Sequence, residues 1–163
     1  MKKLTIAIVC LLILLSGCSQ NPEYEKPVHF YYRVSTDRFD SNSKSILSET
    51  REGSQWNTLE DIMRAYLAGP VEETMVSPFP PNLRLVHIGQ DGTTVFVTLS
   101  DEFATLTNLD LTIACGCITL TCLDLTGAQQ VTIESENALL GGQKSITMDR
   151  NSLLLTDHAA EGE

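Results

Sequence analysis

The side chains in this chain most able to do chemistry are its thiols, and three of the five cysteines, Cys115, Cys117 and Cys122, lie close together. A thiolate can bind zinc or exchange with a disulfide, so spacing decides what these three can do. On a helix, Cys115 and Cys122 share a face while Cys117 points the other way, so one ion cannot gather all three. Cys115 and Cys122 would also stand ~10 Å apart along the axis, beyond disulfide reach. On a strand, Cys115 and Cys117 would share a face and zinc or redox chemistry would regain weight, although a fourth ligand is missing. His29, His87 and His158 stand alone in the sequence and are expected to be structural or exposed rather than ligands. Asp101 and Glu102 invite a metal or acid–base reading, but behind Ser100 they suit a helix start, where capping and the dipole favour such residues. The chain has no Gly-rich phosphate loop, no His-Glu-x-x-His and no nucleophile elbow. No catalytic residue, metal ligand or cofactor is therefore assigned.

Cys18 is a different case. Lys2 and Lys3 precede an apolar run over residues 4–15, which ends in Leu15-Ser16-Gly17-Cys18. A run of about 12 residues spans ~18 Å as a helix, short of a hydrocarbon core of ~30 Å, so residues 1–17 read as a removable signal peptide. The small residues before the cysteine resemble the lipobox of bacterial lipoproteins, in which this thiol accepts a diacylglyceryl group. One acyl chain anchors only marginally, whereas several on one residue make a stable tether. Residues 18–27, polar and containing Pro22 and Pro27, are expected to hold the domain off the bilayer. Ser19 shows no membrane-retention aspartate. The chain is expected to be exported and held on a cell membrane, at its outer face in a one-membrane envelope.

Loss of the leader takes the net charge from −10 to −12, because Lys2 and Lys3 leave with it. An acidic surface repels phosphate, so nucleic acid is not expected as a partner and membrane contact is assigned to the lipid. The 146 remaining residues, within a chain that is 42% hydrophobic, suit one domain with a modest core.

The elements of that domain follow from periodicity and punctuation. Residues 28–34, aromatic and β-branched, predict a strand. Residues 37–54 form a polar connector within which a short strand or turn cannot be placed. A helix follows: Asn57 can cap it, Glu60 stands at the capping-box position, and Leu59, Ile62, Met63, Tyr66 and Leu67 make one apolar stripe. Glu60 and Arg64 pair on its wet face, and Gly69-Pro70 stops it. Trp56 just ahead reads as a packing anchor. Residues 71–82 carry Pro78, Pro80 and Pro81 and predict an irregular connector, with Met75, Val76 and Phe79 exposed and Met75 and Phe79 as candidate partner-binding residues; the alternative is a packed crossing from helix to sheet. Residues 83–88 and 93–99 flank Asp91-Gly92 and predict a hairpin. Residues 109–125 are undecided between a buried helix and other structure, since the threonines and Gly116 lower helix propensity. Strands are predicted at 130–135, 145–148 and 152–155, with a frayed tail over residues 158–163.

Three landmarks in order, Tyr66-Leu67-Ala68-Gly69-Pro70, the hairpin into Val97-Thr98-Leu99-Ser100-Asp101-Glu102-Phe103, and Ile118-Thr119-Leu120 ahead of Gln130-Val131, resemble the GerMN domain of sporulation and spore-germination proteins. The resemblance covers residues 28–157. It implies an α+β fold like the ring-building motifs of envelope secretion rings, a small mixed or antiparallel sheet with two helices packed on one face, and a helix over residues 111–125. Thr98 stands where family members often have an acid, and Glu134-Ser135-Glu136 replaces a common glycine. The family pattern carries no catalytic residues.

The expected function is that of a membrane-tethered, non-enzymatic envelope protein acting through protein contacts, plausibly with other ring-building domains and in sporulation or germination. The alternative is a module binding cell-wall fragments or another small ligand, for which Phe30, Tyr31 and Tyr32 are candidate aromatics, although strand aromatics more often fill a core.

Overall fold

Among the described residues the strands and α-helices follow in the order β1 (Val28–Val34), β2 (Ile46–Arg51), α1 (Leu59–Leu67), β3 (Met75–Val76), β4 (Leu85–Asp91), β5 (Thr94–Leu99), α2 (Asn108–Thr126), β6 (Gln130–Ser135) and β7 (Ser145–Asp149). The computed structural model describes residue 24, residues 26–35 and residues 45–153. The predicted leader, Cys18, residues 36–44 of the connector, and the tail with His158 lie outside the described residues.

The architecture is α+β, and its strands form two hydrogen-bonded sheets. One is antiparallel in the order β2-β1-β3; the other runs β4-β5-β6-β7, with its central pair, β5 and β6, parallel. A parallel pair requires a crossover, and α2 supplies it. Nearly every residue from Leu111 to Leu123 is buried, because α2 contacts β1 of the first sheet as well as β5, β6 and β7 of the second. A helix covered all round needs no polar face, so it carries no amphipathic period for the sequence to display. The helix implied over residues 111–125 is present and longer. It is apolar and long enough to pass for a membrane span, but its position is that of the core.

On α1 the apolar stripe turns inward: Ile62, Met63 and Tyr66 are buried, and Arg64 pairs with Glu60 at 2.6 Å on the outer face. The cap is one residue later than expected. Thr58, not Asn57, accepts the Asp61 N–H at 3.1 Å and donates its hydroxyl to the Asp61 carboxylate, leaving Glu60 free for Arg64. Two tyrosines lock α1 to β1: the Tyr32 hydroxyl donates to the Tyr66 carbonyl and the Tyr66 hydroxyl to the Tyr31 carbonyl, each at 2.8 Å. Phe30, Tyr32 and Tyr66 are wholly buried, with Trp56 packed 5.6 Å from Phe30 as the expected anchor.

One open reading is completed and three are corrected. The unplaced part of the 37–54 connector contains β2, whose six residues alternate too weakly in hydrophobicity to stand out. Residues 71–82 are not wholly irregular, since β3 pairs with the end of β1. The hairpin loop is Gly92-Thr93 rather than Asp91-Gly92, because Asp91 pairs with Thr94 and only Gly92 has positive φ, +56°. Of the strand predicted at 152–155, Ser152 closes a 3-10 turn over Arg150–Ser152 instead, since the Asp149 carboxylate accepts the Ser152 N–H and ends β7 there, and residues 154–155 lie outside the described residues.

Candidate functional site

The predicted reactive groups are placed first. Cys115, Cys117 and Cys122 are all buried in α2 with free thiols. Burial pushes the Cys115 and Cys122 thiols up to about 12, and raises Cys117 further with help from neighbouring Cys115. Thiols so held are protonated and poor nucleophiles or ligands. Among the described residues, no cluster of three His, Cys, Asp or Glu side chains is arranged to hold a metal ion. Asp101 does not cap its own turn. Its carboxylate accepts the Asn137 N–H and the Ser135 hydroxyl, each at 2.8 Å, and so clips the segment after β5 to the end of β6. These bonds hold its pKa below the usual carboxylate value. His29 is exposed beside the Thr50 hydroxyl, and His87 is exposed on β4.

The aromatics proposed for a ligand site divide. Phe30 and Tyr32 point into the core and cannot line a surface site. Tyr31, on the alternate face, donates to Asp124 of α2 at 2.5 Å, while Arg150 donates to the same carboxylate. Burial and that bond push the Tyr31 hydroxyl up to about 12, so it remains a donor in a structural tie.

The loop after α1 is held by side chains of β2 and the core. Met75 and Phe79, expected to be exposed, are half-buried and packed against the core; Phe79 meets the Tyr66 ring edge-on at 5.2 Å. Pairing of β3 with β1 turns Met75 inward and leaves Val76 outward, 41% exposed. Val71 is 78% exposed and sits on a fixed backbone. One carboxylate does the fixing. Glu49 of β2, only 5% exposed, accepts the N–H groups of Val71 at 2.7 Å and Glu72 at 2.8 Å through one oxygen. Its other oxygen takes the Arg51 guanidinium, which also donates to the Gly69 carbonyl at 2.8 Å and lies over the Phe30 ring. Burial alone would raise the Glu49 pKa, but the bonds from Glu72, Arg51 and Val71 together outweigh it and bring the value below normal. Sequence reasoning missed Glu49. The only signal was an acid on the inward register of a short strand, and that strand was itself unplaced.

At the N-terminal end, Tyr24 packs against the core, and the carbonyls of Tyr24 and Lys26 lie against Gly53, so close that a Cβ there would stand 2.8 and 2.2 Å from them. Within the stretch read as a tether, Tyr24 and Lys26 are therefore docked on the domain.

With this architecture, solved structures can be compared directly. The tandem GerMN domains of the sporulation protein GerM from Bacillus subtilis superpose with a TM-score of 0.54 at 16% identity over 72% of this chain. The fold is that of a GerMN domain. The chain spans 43% of the length of that tandem structure. A candidate lipoprotein from Clostridium perfringens superposes with a TM-score of 0.46 at 15% identity, over 77% of this chain and 88% of that one. No family model and no curated protein sequence matches the chain. In the GerMN fold described here, Tyr66-Leu67-Ala68-Gly69-Pro70 is the end of α1 and its stop, with Gly69 at φ +103°. The landmark at Val97 to Phe103 is the exit of β5 into a 3-10 turn, and Ile118-Thr119-Leu120 is the centre of α2.

Proposed function

We propose that this chain is a lipid-anchored envelope protein whose GerMN domain works by protein contact and carries out no catalysis of its own. The GerMN fold is the observation that carries this reading, since GerM itself is a sporulation protein. Cys18 supplies the anchor, on the strength of Lys2, Lys3, the apolar run and Leu15-Ser16-Gly17-Cys18. With Tyr24 docked, five residues separate the anchor from the folded body. At ~3.5 Å per residue the domain works within ~20 Å of the bilayer. In a one-membrane envelope that is the outer face of the plasma membrane.

The partner surface in this reading is the loop after α1, with Val71 and Val76 outward and Met75 and Phe79 beneath as its packed base. A loop held in one geometry by Glu49 loses little entropy on binding. The partners are envelope proteins, including other ring-building domains, and the setting includes sporulation where the host forms spores. The test is crosslinking in intact cells followed by recovery of this protein and mass spectrometry. Recovery of envelope or sporulation proteins with wild type, lost with Cys18→Ala and weakened by Val71→Asp, is expected. An abundant, anchored wild type that crosslinks to no protein would overturn the reading.

A further inference from the structure

The three thiols of α2 sit where a disulfide would do most harm. Cys115, Cys117 and Cys122 are free, each 1% exposed or less, and the Cys122 thiol packs 4.0 Å from the Met63 sulfur of α1. Helix geometry keeps all three apart. Cys115 and Cys117 leave the helix in nearly opposite directions. Cys117 and Cys122 are separated by ~7.5 Å of axial rise, and Cys115 and Cys122 by ~10 Å, both beyond the ~7 Å that a disulfide spans between Cα atoms. No pair can be joined while α2 is helical, and a thiol carrying an added group could not stay inside a close-packed core.

The unfolded chain is under no such restraint. Four residues separate Cys117 from Cys122 and six separate Cys115 from Cys122, and loops of this length close rapidly in a flexible chain. A disulfide across either loop then forbids helical spacing at the centre of α2. That centre contacts β1 of one sheet and β5, β6 and β7 of the other, so a break there uncovers both. Nor can α2 be buried early during export. Its partners β6 and β7 follow it in the chain, as does Leu153, whose side chain lies over Gly116, so the thiols stay open until the C-terminal strands arrive.

We propose that α2 is a redox gate on folding: the domain forms only from a chain whose three α2 thiols are reduced, and once formed it shields them from oxidation. Closing the gate takes two protons and two electrons from a pair of thiols and gives them to a disulfide oxidant, which leaves as two thiols. In an oxidising envelope the chain therefore needs a dithiol reductant, which returns those electrons before α2 can form. The exported setting belongs to the proposed function, whereas the gate is a property of the core and is tested apart from it.

The experiment compares two orders of addition on the full chain in detergent micelles, with Cys10→Ser and Cys18→Ser so that the α2 thiols are the only ones. Folded first and then given oxidised glutathione, the protein is expected to keep its native Trp56 fluorescence and three free thiols by intact mass. Oxidised in denaturant and then diluted, it is expected to lose the native Trp56 signal, and dithiothreitol is expected to restore it. The chain with Cys115→Ala, Cys117→Ala and Cys122→Ala together is expected to refold equally with and without the oxidant. Oxidation that is complete by mass yet leaves the refolded yield unchanged would overturn the proposal, as would thiols lost from the folded protein as fast as from the denatured chain. Both of these outcomes are read on the chain that keeps its α2 cysteines, so they decide the matter even where the triple variant fails to fold.

Discussion

Glu49 shows how one side chain can organise a surface. Its carboxylate serves two backbone N–H groups and a guanidinium at once, so replacing it with alanine strands several donors in a half-dry site, at a cost of about 3 kcal/mol. Its folded pKa lies below the ordinary value of 4.5. A depressed carboxylate contributes stability that is complete above 4.5 and disappears as pH falls through the lower folded value. Denaturant midpoints measured from pH 7 down through the acid range should therefore fall more steeply below pH 4.5 in wild type than in Glu49→Gln; parallel curves would remove Glu49 as a determinant. The thiols lend themselves to an opposite kind of prediction. Because burial keeps Cys115, Cys117 and Cys122 protonated and out of reach, an alkylating reagent at pH 8 should leave all three unmodified in the native protein and modify all three in denaturant, as read by intact mass. Rapid native labelling at any of them would show that α2 opens readily.

Among the elements, the docked N-terminal segment is the one whose position matters most for the proposed anchor. Gly53 lets the carbonyls of Tyr24 and Lys26 lie against the turn before α1, and a methyl group there would meet those backbone carbonyls, which cannot rotate aside. Gly53→Ala is expected to detach Tyr24 and Lys26, destabilise the domain by about 2 kcal/mol and speed amide hydrogen exchange at Tyr24, Lys26, Val28 and His29. Unchanged exchange in that segment would mean the contact is not maintained in solution. Helix α1 was legible because its period, stop and charged face all agree. Helix α2 was not legible from its own residues: threonine, cysteine and Gly116 argue against a helix, and contacts with both sheets override them. Gly116 has a packing reason as well, since a Cβ there would stand 2.9 Å from Leu153 and 3.5 Å from Ile46.

For the whole molecule, the proposed tether sets where the folded domain acts. Cell fractionation is expected to find the wild type in the membrane pellet and labelled by an alkynyl fatty acid, with Cys18→Ala unlabelled and no longer held by acyl chains. Equal labelling of both would place the lipid elsewhere. The loop after α1 was half legible: its prolines marked an irregular connector, but which apolar residues face out depends on β3 pairing with β1, a contact between positions some forty residues apart. By itself, the sequence determined the features that depend on neighbours along the chain: the leader and lipobox pattern, the amphipathic α1 with its glycine stop, the hairpin region and the acidic charge. Only tertiary structure decided the helical state of α2, the division into two sheets, the role of Glu49 and the burial of the three α2 thiols, because each is set by burial and register between segments distant in sequence.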